Sequence, residues 1–179
     1  MDDAEMFGSD LVDVLVGRVV REAVSLDAGT RRLLAALRGE EQSMPSSVSG
    51  VLEACSGLLP DAGLSDEEFE AGTSAIAAAS TAYQQRNRYV HDMLFPKADE
   101  GWLRARFDRG LATRDSMVPV STGDLEQCHR DLSSAAWRIW GLQILIDVVR
   151  DPRRIESRHH LTTIASGQFA FDGDDSISW

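Results

Sequence analysis

The chain reads as a mainly all-α domain, an up-and-down helical bundle of four principal helices with a short β-hairpin or flap between the third and fourth. Three observations predict this. Apolar residues recur at the helical period through three long stretches, 9–38, 65–95 and 121–150. Residues that start or stop helices bound those stretches: Ser9 or Asp10, Ser65 and Ser121 or Thr122 before them, Gly39, Pro96 and Pro152 after. Only residues 101–120 show a strand-like pattern.

In the first helix, residues 9–38, the stripe is Leu11, Leu15, Val19, Ala23, Leu26, Leu33 and Leu37, with most charges off it. Gly17 and Gly29 each weaken it by roughly 1 kcal/mol relative to Ala, and the pattern survives both. Gly39 suits a C-cap. Residues 46–58 form a shorter helix rich in serine and glycine, closed by the turn at Pro60 and Gly63. The third helix opens at Ser65 with Glu68 three residues on, a capping box, and with Asp66 and Glu67 in its first turn. Its expected inner stripe is Phe69, Ile76, Tyr83, Val90 and Leu94. The alanine-rich centre would let a neighbouring helix approach closely. The helix is expected to end near Phe95, because Pro96 disfavours helix at the residue before it.

Residues 101–120 place Trp102, Arg104 and Phe107 in one run and Met117, Val118 and Val120 in another, the two arms of the hairpin or flap. The fourth helix carries the stripe Leu125, Cys128, Leu132, Ala136, Ile139, Leu142, Ile146 and Val149. Trp137, Trp140, Ile144, Leu145 and Val148 widen it to most of the circumference. Such a helix lies at the centre of a bundle or at a subunit contact, and a homodimer contact is favoured. Residues 1–150 thus form the helical domain. Residues 151–179 form a C-terminal extension read as a mobile or extended arm, for want of helical period.

With 179 residues, 43% of them hydrophobic, the chain can bury a core without disulfides or metals. Cys55 and Cys128 lie among apolar neighbours on helices, where buried free thiols are expected. The N-terminal Met-Asp-Asp-Ala-Glu has neither a basic region nor an apolar run, and no apolar run approaches a membrane span. A cytoplasmic location without membrane attachment is the expectation. The net charge is −11, which argues against a general nucleic-acid coat. Its distribution is uneven: residues 1–83 carry −10, residues 84–114 carry +3 and residues 115–179 carry −4.

That basic segment holds Arg86-Asn87-Arg88-Tyr89-Val90-His91. Asn87 and His91, at i and i+4, share a helix face. Arg86 and His91 lie about 140° apart around a helix, so they do not converge easily within one chain. Two copies of the helix packed across a two-fold axis would bring both pairs into one cleft. There His91 would move a proton near neutral pH and Arg86 would stabilise charge on a phosphate. Such a set can cleave RNA without metal, because the 2′-hydroxyl supplies the nucleophile. Neither a cofactor nor a metal is called for.

Arg86-Asn87-x-x-x-His91-Asp92, late in a helix of an all-α domain, resembles the signature of HEPN domains. These are small helical bundles, commonly dimeric. Many are metal-independent endoribonucleases of toxin–antitoxin, CRISPR-associated and antiphage systems. The resemblance implies that Arg86 and His91 are catalytic and Asn87 supportive; Arg88 and Tyr89, beside them, are the candidate substrate-binding residues. It also implies single-stranded RNA, a second copy and a protein partner such as an antitoxin as the expected partners. One branch, the toxins paired with nucleotidyltransferase antitoxins, has Tyr two residues after the His, where this chain has Met93.

Set against this is a non-catalytic HEPN-like interaction module. There Arg86 would pair with an acidic residue of a neighbouring helix, Asn87 would bond backbone, and His91 would cap a helix end. His159-His160, the Cys128–His129 neighbours and the Asp172, Asp174, Asp175 group lack the companions that a metal, nucleophile or calcium site needs. Trp137 and Trp140 read as core or interface.

Overall fold

The computed structural model of the chain describes residues 3–38, 43–90, 93–97, 101–105, 117–151 and 157–168. Five helices pack together: α1 (Asp3–Arg38), α2 (Val48–Leu58), α3 (Asp66–Val90), α4 (Thr122–Arg150) and α5 (Arg158–Ser166). A small antiparallel sheet lies between α3 and α4, with strands β1 (Met93–Lys97), β2 (Gly101–Ala105) and β3 (Met117–Val120) in that spatial order.

The three long helices alternate in direction. Glu22 meets His129 and the Leu37 carbonyl accepts from Arg150, so α1 and α4 run parallel. Ser74 meets Arg138 while Tyr89 lines a groove with Asp124, so α3 runs against them. α2 crosses near the far end of α1, where Arg31 donates to the carbonyl of Pro45 at 3.1 Å. Its serine start is a true cap, with Ser47 accepting from the Gly50 N–H at 3.1 Å.

The main core joins Leu26, Leu33 and Leu34 of α1, Val51 and Cys55 of α2, Ala75 and Ala79 of α3, and Leu132, Ile139, Leu142 and Ile146 of α4. Both cysteines are buried free thiols, as their neighbours predicted. Burial pushes Cys55 up to about 12 and Cys128 up to about 11. A second cluster of Val12, Leu15, Val120 and Leu125, with Leu94 and Trp102 against it, seats the sheet on the opposite end of the bundle.

Several expectations shift. Leu11 is exposed and Val12 takes its place inside. In α3 the buried face is Ala71, Gly72, Ala75, Ile76, Ala79 and Ala82, while Phe69 is exposed. Small residues face inward because α4 and the turn after α2 come close: a Cβ on Gly72 would stand 3.0 Å from Leu142 and 3.1 Å from Leu59. α3 ends at Val90 rather than near Phe95, and Met93–Lys97 is extended. Leu94 continues the helical spacing from Val90, which hid the strand. Pairing of Met93 with Ala105 and of Pro96 with Trp102 outweighs that spacing. The expected hairpin is present as β2 and β3, and Phe107 lies outside the described residues.

α4 is capped by Ser121 and Asp124, each side chain bonding the other's backbone. It packs on α1, α3 and α5, so most of its wide apolar surface is covered within the chain, with Trp140 left exposed. The breadth of that surface therefore does not by itself call for a second subunit. By length and composition alone α4 would also suit a membrane span. In this fold Leu125, Leu132, Ile139, Leu142, Leu145 and Ile146 are buried, while Trp140 is exposed.

The extension differs most from expectation. Residues 158–166 form α5 rather than an extended arm, with Ser157 as N-cap and Gly167, at φ 80°, as C-cap. Leu161 and Ala165 are buried against the bundle. Arg158 makes a bidentate ion pair with buried Glu68, its Nε 2.7 Å from Oε1. Arg138 donates to the Ala165 carbonyl at 2.9 Å and to Ser74 Oγ at 2.6 Å, joining α4, α5 and α3.

Candidate functional site

The last turns of α3 carry the motif to the end of the bundle where the sheet sits. Arg86 follows Ala75, Ala79 and Ala82 on the inward face, four residues beyond the last of them, so its side chain is half-buried against the neighbouring helix. Its guanidinium stands 5.5 Å from the Tyr83 ring centre, a cation–π contact. NH1 donates to Asn87 Oδ1 at 3.1 Å. Nε is buried and has no hydrogen-bond partner among the described residues. Adjacent residues on a helix point about 100° apart, so the Arg86–Asn87 bond needs the arginine to bend back toward its neighbour.

This arrangement bears on the structural alternative. Arg86 pairs with no acidic residue among the described ones, and Asn87 accepts from Arg86 rather than holding backbone. His91 lies outside the described residues, directly after the end of α3. Arg86 and Asn87 are thus brought together, while the position of His91 relative to them is not described.

Arg88 is exposed, with no hydrogen-bond or ion-pair partner among the described residues. Tyr89 is half-buried and packs against both apolar clusters. The Arg104 guanidinium of β2 lies 5.7 Å from its ring centre. Burial raises the Tyr89 phenol, Asp124 and Cys128 raise it further, and Arg104 and Arg88 oppose them. It therefore stays a neutral hydroxyl at physiological pH.

Arg88 and Tyr89, with Gln85, form one wall of a groove of about 190 Å³. The opposite wall is Asp124, Gln127, Cys128 and Asp131 of α4. Asp124 is held below its usual range by the backbone and hydroxyl of Ser121. Asp131 accepts from Gln127 at 2.7 Å through Oδ1 alone. Cys128 forms the buried floor, where the nearby Arg86 partly offsets burial and Asp131. The α4 wall was missed in the sequence. Asp124, Gln127 and Asp131, at i, i+3 and i+7 of one helix face, were the signal available.

The remaining polar sites separate. Cys128 faces α3, whereas His129 faces α1, with Nε2 3.9 Å from Glu22, and burial lowers its pKa against the pull of Glu22. His159 and His160 are exposed on the first turn of α5. Trp137 and Trp140 meet edge to face, 5.2 Å between ring centres. The aspartates at 172, 174 and 175 lie outside the described residues. Among the described residues no three His, Cys, Asp or Glu side chains converge as a metal site. No protein family, curated protein or solved structure matches the chain.

Proposed function

We propose that the chain is a metal-independent endoribonuclease of HEPN type, acting in a toxin or phage-defence setting through a composite site shared by two copies. One observation carries the reading most: Arg86 is pre-positioned by Tyr83 and Asn87, has no acidic partner among the described residues, and lies in the one net-basic segment. A cation held in place but not neutralised is what charge stabilisation on a phosphate requires. His91 would take the proton of the RNA 2′-hydroxyl as its oxygen attacks phosphorus. Arg86 would stabilise the equatorial oxygens, and the P–O5′ bond would break as the 5′-oxygen takes a proton from a His91 imidazolium, leaving a 2′,3′-cyclic phosphate. Asn87 keeps the guanidinium in place, and Arg88 and Tyr89 contact the strand.

The test is cleavage of single-stranded RNA by purified protein in EDTA. Wild type is expected to cut it, and His91→Ala and Arg86→Ala to lose at least about 100-fold of that activity while remaining folded, the usual scale of general acid–base and charge-stabilising groups. Full activity in His91→Ala would sink the assignment.

A second reading, a non-catalytic interaction module of the same type, is favoured by one feature. The groove beside Arg88 carries Asp124 and Asp131, an acidic wall less suited to phosphate than to a basic protein segment. In that case Arg86→Ala changes stability and partner binding, with no turnover to lose.

A further inference from the structure

We infer that the groove between α3 and α4 is a recognition pocket for one unstacked guanine base of single-stranded RNA, read by Asp131 together with Arg88 and Tyr89. The choice of RNA as the ligand rests on the ribonuclease reading of the neighbouring Arg86. The rest follows from the groove itself.

Size comes first. About 190 Å³ is smaller than the roughly 300–1,000 Å³ of sites that enclose drug-sized molecules. It suits a single planar ring system with its sugar outside, the way unpaired RNA bases are taken.

Available hydrogen-bonding capacity comes second. Among the described residues the Arg88 guanidinium, the Gln85 amide and the Tyr89 hydroxyl have no hydrogen-bond partner, and Asp131 uses only Oδ1, toward Gln127. Asp124 takes two bonds of the α4 cap through Oδ2, which holds its carboxylate against Ser121. Another groove, about 240 Å³ between α3 and α5, differs in this respect. Its Ser74, Thr162, Thr163 and Ser166 hydroxyls are all bonded within the chain. Among the described residues its open groups are the Glu67 and Glu70 carboxylates and the Gln168 amide, with no cation among its lining residues, whereas the groove beside the motif sets a guanidinium and a phenol with a carboxylate.

Pattern comes third. A carboxylate set among donors asks for a ligand edge with two adjacent N–H groups next to an acceptor. Guanine has this edge: N1–H and the 2-amino group would meet Asp131, and O6 would meet Arg88 or the Tyr89 hydroxyl. Adenine and cytosine set a ring acceptor beside their amino group, which would face the carboxylate and be repelled. Uracil has one N–H between two acceptors. The Asp131 carboxylate, unhelpful for a phosphate, becomes useful for a base edge.

The test uses five short oligonucleotides with 2′-O-methyl at every sugar, so that none can be cut. Each has one central G, A, C, U or inosine between uridine flanks, and binding is followed by fluorescence anisotropy in EDTA. A good bidentate pair discriminates by about 1–3 kcal/mol, so G is expected to bind at least about fivefold tighter than A, C or U. Inosine, lacking the 2-amino group, should fall between. Asp131→Asn should remove the preference. Arg88→Ala, at an exposed position, should weaken G binding even if the first variant folds poorly. Equal binding of all five, no binding, or a preference that survives in folded Asp131→Asn would overturn the inference. So would Asp131-dependent binding of an arginine-containing peptide in place of the oligonucleotides, which would assign the groove to a protein partner. Cleavage is scored separately on unmodified RNA. G-selective binding without cleavage sinks the ribonuclease reading alone, and cleavage without base preference sinks this inference alone.

Discussion

Arg86 is a side chain whose fold-level and functional values point in opposite directions. Among the described residues its Nε is buried without a partner, and such a group costs desolvation energy that the bond to Asn87 does not return. Replacing it with Met, similar in length and able to fill the same space against Tyr83, should leave stability equal or raise it by about 1 kcal/mol. RNA cleavage should disappear in the same protein. Thermal melts and an RNA assay on Arg86→Met check both halves, and a clear fall in Tm would show that the guanidinium holds the bundle together instead. Glu68 is the opposite case. It is buried, caps α3 through the Ser65 N–H at 2.8 Å, and takes both arms of Arg158. The Arg158 hydrogen bonds hold its carboxyl below the usual value near 4.5. The sign follows from that depression: the contribution is full above the ordinary glutamate value and fades as pH falls through the lower folded-state value. Glu68→Ala should cost on the order of 1–2 kcal/mol at pH 7, moderated by the half-exposed Arg158. The gap in Tm from wild type should close on acidification below pH 4.5, where denaturation followed by circular dichroism would show it.

Among the elements, α5 depends on a glycine of α4. A Cβ on Gly141 would lie 2.6 Å from Ile164 Cγ2, closer than side chains pack, so Gly141→Ala must push the two helices apart. Gly17, in α1, has nothing within 4 Å of the same atom. Alanine at Gly17 should stabilise by up to about 1 kcal/mol through helix propensity. Alanine at Gly141 should destabilise by about 1–3 kcal/mol despite that gain, with hydrogen exchange speeding up first at Leu161 and Ala165. The same contrast explains what could be read from the chain. α1, α3 and α4 are long enough for period and caps to reveal them. α5 has nine residues with three hydroxyls and two histidines, and buries few apolar side chains. What holds it is tertiary, the Arg158 and Arg138 bonds and the Gly141 contact, though Ser157 and Gly167 marked its ends. β1 was hidden for a related reason, since Met93 and Leu94 fit a helix equally well until a partner strand exists. The motif was legible as spacing along one helix. The α4 wall of its groove was not, because only packing brings Asp131 to Arg88.

At the scale of the whole molecule, α1, α3 and α5 cover most of the apolar breadth of α4 and leave Trp140 exposed, so the need for a second copy rests mainly on the motif rather than on the core. Both sheet edges, β1 and β3, contain a proline, Pro96 and Pro119, which removes a backbone donor from each. A second copy is therefore expected on helices rather than by strand addition, the geometry that a shared cleft needs. Sharing can be tested directly by mixing Arg86→Ala and His91→Ala chains, each inactive alone. If the reacting pair takes Arg86 from one copy and His91 from the other, a mixed dimer keeps one complete pair. Equimolar mixing makes half the dimers mixed, each with one of two pairs intact, so roughly a quarter of wild-type cleavage should return. If both residues act from the same chain, no mixed dimer contains a complete pair and the mixture stays inactive. Unfolding and refolding the mixture together ensures exchange, and a sedimentation profile of each variant confirms that the copies still associate. Recovery in the mixture, absent from either variant alone, distinguishes a shared site from one built within a single chain.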